Sequence, residues 1–128
     1  MYIRMAKSGV QTRQMVTKDS DLDRLIAWAV ASDRTAVADA MIEMMSTDLR
    51  DDLARIKSPT LVMGAWTGYK DYTTREKTDI SLRKQYAKMA GVTLRITDTA
   101  RHFIIWDDPT WMFAQVDEFL TERSVAKQ

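Results

Sequence analysis

The sequence predicts an α/β fold: a mostly helical first half, then a β-α-β-α unit built on a short parallel strand pair. Three observations carry this expectation. Between Leu22 and Met45 the apolar residues recur at the three-and-four spacing of helix faces. After Pro59 the periodicity changes to a short apolar run, Thr60-Leu61-Val62-Met63-Gly64-Ala65, bounded by proline and glycine as a buried strand is. A second run, Val92-Thr93-Leu94-Arg95-Ile96, alternates as a strand does and follows a helix-length segment. Two strands joined through a helix form a parallel pair with a right-handed crossover.

Each element has its own local signal. Residues 1–16 carry a weak helical pattern that loosens at Gly9. Asp19-Ser20-Asp21 offers a cap ahead of Leu22, Leu25, Ile26, Ala29 and Val30, one helix face. Asp33 can cap the next helix, whose apolar stripe is Val37, Ala40, Met41, Met44 and Met45. A short helix is expected from Asp48 to Ile56, ending before Ser58-Pro59 because the residue ahead of proline avoids the α region. Thr73-Thr74 caps a helix that should run to about Ala90, with Gly91 as its C-terminal cap. Asp107-Asp108-Pro109 starts the last helix, with Asp108 as cap and Pro109 in the first turn, where a missing N–H costs nothing. Its inward face would be Met112, Phe113, Val116, Phe119 and Leu120.

Composition narrows the functional classes. The chain has 128 residues, one domain's worth, and an apolar share of 45% that suits a packed core. Nineteen basic residues against eighteen acidic ones give no electrostatic reason to expect nucleic acid or an anionic membrane surface as a partner. There is no apolar run of membrane-spanning length and no apolar signal-peptide core, so the expected location is cytoplasmic. Having no cysteine, the chain has no thiol catalysis, disulfide or thiolate zinc site. Nine methionines and four tryptophans suit an irregular core, or an adaptable apolar pocket.

From Asp48 to Leu120 the sequence resembles the C-terminal end of an α/β-hydrolase domain. The residues that carry the likeness are Ile56-Lys57-Ser58-Pro59-Thr60-Leu61-Val62-Met63-Gly64, the strand from Val92 to Ile96, the single histidine His102, Asp108-Pro109, and Phe119-Leu120. The resemblance implies that residues 1–56 are a helical cap-like region and that residues 57–128 are the C-terminal β-α-β-α part, together one compact unit. It also implies that His102 occupies the position of the triad's general base, the last triad member in chain order. The acid would follow the first strand, where Asp71 is the nearest candidate, with Asp98 after the second strand as a fallback. The family's G-x-S-x-G nucleophile turn does not occur, since the glycines are Gly9, Gly64, Gly68 and Gly91. The oxyanion-hole segment is missing as well, so the chain reads as a truncated hydrolase fold.

Two functions follow as expectations. One is a hydrolase of ester-like small molecules by descent, using His102 as a base towards water or together with a metal. Trp66, Tyr69 and Trp106 would line the substrate pocket. Asp107 and Asp108 beside His102 are the candidate ligands of a divalent cation, and capping of the last helix is the competing role for both acids. The alternative is a non-catalytic fragment or split half acting as an oligomerisation or assembly module. Two strands alone leave open edges and apolar faces, so a homodimer or higher homo-oligomer is expected, with exchanged helices as one form.

Overall fold

A computed structural model of the protein describes residues 10–125. The expectations for residues 1–9 lie outside the described residues. A helical turn, α1 (Val10–Arg13), leads into α2 (Asp19–Ala31) and α3 (Arg34–Ser46). A single 3-10 turn follows at Asp52–Arg55, then β1 (Thr60–Ala65), a second 3-10 turn at Thr67–Tyr69, and α4 (Arg75–Gln85). The chain closes with β2 (Val92–Thr97), the short α5 (Ile104–Asp107) and α6 (Pro109–Val125). β1 and β2 pair in parallel, in register from Thr60 opposite Val92 to Ala65 opposite Thr97. The protein is therefore a small α/β structure of mixed helices and a two-stranded parallel sheet. No helix among the described residues is long and apolar enough to cross a membrane.

Capping chemistry explains the starts of α3, α4 and α6. Asp33 accepts a hydrogen bond from the Ala36 N–H at 2.8 Å, and Thr74 accepts one from Lys77 at 3.3 Å. Asp108 accepts one from Trp111 at 2.9 Å, with Pro109 at the first turn. In each case the side chain satisfies a donor that a helix start leaves without an intrahelical partner. α2 departs from the expected start. It begins at Asp19 after Lys18, which makes no side-chain cap, and Asp19 and Asp21 sit in its first turn, where their charge suits the positive helix end.

Two further elements differ in extent from the expectation, and one was not expected. α4 stops at Gln85 rather than Ala90, and turns bring the chain to Gly91. Gly91 has a φ of +72°, so it reverses the chain into β2 in the left-handed region, where a side chain would be strained. The helix expected over 48–56 shrinks to one 3-10 turn, because Asp48 folds back onto Arg50 through both its backbone N–H and its guanidinium. α5 has no counterpart among the expected elements.

The core sits between α2 and the loop that follows β2. Val16, Leu22 and Leu25 are buried, packed against Met15, Ile26, Phe103 and Trp106. Each fully buried aliphatic side chain here contributes about 1.5–3 kcal/mol. Met89, Ile96, Ala100 and Ile104 are buried too. Along β1 only Gly64 is buried and the remaining positions are half-buried, so the expectation of a strand buried on both faces is corrected. α3 is the larger correction. None of its residues is buried, and Met41, Met44 and Met45 are 44%, 64% and 79% exposed, although their spacing is that of a core-facing stripe. On α6, Met112, Val116 and Phe119 are half-buried, whereas Phe113 and Leu120 face outwards.

Candidate functional site

The loops at the carboxyl ends of the two strands are tied together by side-chain hydrogen bonds. Parallel strands deliver their loops to one end, which is where α/β sheets place ligand sites. Thr97 is fully buried, and its hydroxyl accepts hydrogen bonds from the N–H groups of Thr99 (3.2 Å) and Ala100 (3.3 Å). This turns the chain sharply at the end of β2. The Thr67 hydroxyl donates to the Ala100 carbonyl at 2.6 Å, tying the loop after β1 to the loop after β2. Asp98 accepts from the Trp66 indole N–H at 2.8 Å and pairs with Arg75 at 3.0 Å.

The acids near His102 serve the backbone. Asp107 accepts from the N–H of Thr17 (2.9 Å) with one oxygen and from the N–H of Arg101 (2.8 Å) with the other, joining two segments ninety positions apart. Asp108 receives the Thr99 hydroxyl and the Trp111 N–H, and these two bonds, the hydroxyl first, hold its carboxyl below the usual carboxylate range. Arg101 donates from Nη1 to the carbonyls of Arg13 and Val16, and the Phe103 N–H donates to the Met15 carbonyl at 3.1 Å. The α1–α2 connection is thus fastened to the loop that carries His102.

His102 lies on that loop, between β2 and α5, and is exposed. Its ring meets Phe103 edge-on at 5.2 Å between centroids. It makes no hydrogen bond or ion pair with a described residue. Asp71, exposed in the loop after β1, makes none either, so the structure places the two on loops at the same end of the sheet without pairing them. Among the described residues no three histidine, aspartate or glutamate side chains are grouped to hold a metal ion. His102, Asp107 and Asp108 therefore do not converge as a ligand set, and the helix-cap role of Asp108 explains its position.

The aromatic candidates separate. Trp66 lines a cleft of about 380 Å³ between the two loops, together with Thr17, Lys70, Asp98, Thr99 and Arg101. Tyr69 is 39% exposed and contributes its backbone to the 3-10 turn, outside that cleft. Trp106 is a packing residue instead of a pocket wall. It stacks on Phe103 at 4.6 Å, tilts against Trp28 at 5.4 Å and carries the Arg24 guanidinium 5.0 Å above its ring. Thr67, Thr97 and Arg101, which organise the loops, were not among the residues singled out from sequence. The signal was present in Thr97-Asp98-Thr99, three short polar residues at a strand end, each able to bond nearby backbone.

No family model, curated protein or solved structure matches the chain.

Proposed function

We propose that the chain is the cap-like and C-terminal part of an α/β-hydrolase-like fold, contributing the base to hydrolysis of ester-like small molecules when nucleophile and oxyanion donors are supplied from outside these residues. His102 carries the reading. It stands on the loop at the carboxyl end of β2, exposed and without a hydrogen bond or ion pair among the described residues. Neither ring nitrogen is engaged by a described residue, and a general base needs one to take a proton from a hydroxyl and the other to meet an acid. Asp71, on the neighbouring loop, is the acid proposed to meet it.

Within the sequence itself no G-x-S-x-G places an activated serine. The protein alone is therefore expected to resist serine-directed fluorophosphonate probes, and any hydrolysis by His102 and water would gain only about 10²- to 10⁴-fold. Mixing the chain with a nucleophile-bearing half of such a hydrolase tests the proposal. Esterase activity should appear on mixing and vanish with His102→Ala. Activity that is indifferent to His102→Ala would sink it.

The exposed apolar face of α3 favours a second reading, a non-catalytic module that works by assembly. A helix with apolar residues around most of its circumference is normally covered. Here Met41, Ile42, Met44 and Met45 are all exposed, and β1 and β2 each have one edge unpaired among the described residues. A homodimer or higher oligomer, including one with exchanged helices, would bury both features. Light scattering at micromolar concentration should then give at least twice the chain mass, and Ile42→Glu with Met45→Glu should return the monomer. A monomeric wild-type chain would exclude this reading.

A further inference from the structure

We infer that the cleft between the loops after β1 and β2 binds a small organic oxyanion, a carboxylate or phosphate group carried on a flat apolar body. The inference does not depend on His102 being a base.

The walls of the cleft are held before any ligand arrives. The Thr67–Ala100 bond spans it, Asp98 fixes the Trp66 ring through the indole N–H, and the buried Thr97 hydroxyl sets the turn carrying Thr99. Pre-set walls lower the ordering cost of binding. Two cations and one acid line the cleft. Lys70 lines it and makes no ion pair or hydrogen bond with a described residue. Arg101 lines it with Nη1 held by two backbone carbonyls, and no described carboxylate pairs with its guanidinium. Asp98, the acid that lines the cleft, is engaged by Arg75 and Trp66, and Asp107 by the N–H groups of Thr17 and Arg101, while Asp71, beside Lys70 in sequence, is not among the lining residues. Two cations without carboxylate partners thus face a cleft whose lining acid has its own, and an anion is the ligand that completes the arrangement. Trp66 gives the wall a flat apolar surface for the ligand's body. A volume of about 380 Å³ suits a small molecule, near the lower end of ligand pockets.

Benzoate, phenyl phosphate and the neutral benzyl alcohol, titrated separately into the full chain, test the inference by heteronuclear NMR. Benzoate or phenyl phosphate should shift the Trp66 indole and the Thr99 and Arg101 amide signals saturably, and the tighter of the two identifies the oxyanion. Benzyl alcohol should bind at least about tenfold more weakly, and Lys70→Gln should weaken the anion by about the same factor, the loss of one charge-assisted contact. Lys70 is exposed and supports no other described group, so this variant should keep the rest of the spectrum. Absence of saturable shifts, equal binding of benzyl alcohol, or unchanged anion affinity in Lys70→Gln would each overturn the proposal.

Discussion

Thr67 and Ala100 are thirty-three positions apart, and the hydroxyl of one donates to the carbonyl of the other at 2.6 Å. That bond crosses from the loop after β1 to the loop after β2 just beyond the point where strand pairing ends, at Ala65 opposite Thr97. It continues the connection between the strands into their loops and sets the spacing of the cleft. Ala100 is fully buried, so its carbonyl cannot turn to water instead.

Thr67→Val should therefore destabilise the protein by about 1–3 kcal/mol, because it leaves a buried acceptor unsatisfied. Thr67→Ser keeps the donor and should recover most of the loss. Urea unfolding followed by tryptophan fluorescence measures both. Equal stability of the valine and serine variants would show that the bond contributes nothing.

Two glycines make opposite demands on their surroundings. A Cβ on Gly68 would lie 2.0 Å from the Gln14 carbonyl oxygen, a backbone atom pinned near the loop, whereas one on Gly64 would meet the Leu82 Cδ1 methyl at 2.4 Å. The leucine end can swing away and the backbone cannot. Gly64→Ala should cost about 1–3 kcal/mol, an ordinary overpacking loss, and Gly68→Ala clearly more. Thermal denaturation of the two variants side by side should preserve that order.

Trp106 and Trp66 should separate under mutation. Trp106→Ala removes the stack on Phe103 and the contact with Trp28 next to the Val16–Leu22–Leu25 core, and a loss of about 3 kcal/mol is expected. Trp66→Phe keeps an aromatic wall and gives up only the bond to Asp98, a loss of roughly 1 kcal/mol. If Trp106→Ala were neutral in chemical denaturation, its place in the core would be wrong.

Asp108 should make part of the stability depend on acid. The Thr99 hydroxyl and then the Trp111 N–H hold its carboxyl below the ordinary value in the folded protein. A group depressed on folding stabilises above its unfolded pKa, and that contribution fades as the pH falls through the folded one. Asp48, lowered chiefly by the Arg50 side chain, and Asp79, lowered chiefly by Arg83, act in the same direction. Asp108→Asn still offers an oxygen to the helix start but has no charge to lose. Its melting temperature should fall less steeply than wild type between neutral and strongly acidic pH. Parallel curves would rule out a contribution from Asp108.

His102→Ala should leave stability within about 0.5 kcal/mol of wild type, since the ring is exposed and bonded to nothing described. A large loss would mean that the imidazole is a structural support, which would count against its proposed role as a base. The same variant should abolish the activity expected on mixing with a nucleophile-bearing half.

Much of the local structure was legible in the residues because its causes are local. Asp33, Thr74 and Asp108-Pro109 cap helices within three positions of themselves, and the run from Thr60 to Ala65 is a strand at the expected bounds. The failures came where a competing bond or a distant segment intervened. Asp48 engages Arg50 and cuts a helix to one turn, and the stripe on α3 has helical spacing yet covers no core. Spacing reports that a face is apolar; it does not report what lies opposite.

The sequence by itself determined the alternation of helices and strands, the parallel pairing through a crossover helix, and the placement of His102 on the loop after β2. Periodicity and turn chemistry act over a few residues, so one chain suffices to read them. Tertiary structure alone decided the rest of the site. It turned Asp107 onto the N–H of Thr17, sent Trp106 into the aromatic core, kept His102 and Asp71 unpaired, and gathered Lys70, Trp66 and Arg101 around one cleft. Those outcomes depend on donors and acceptors tens of residues apart competing for the same partner, and that competition is settled only when the segments meet in space.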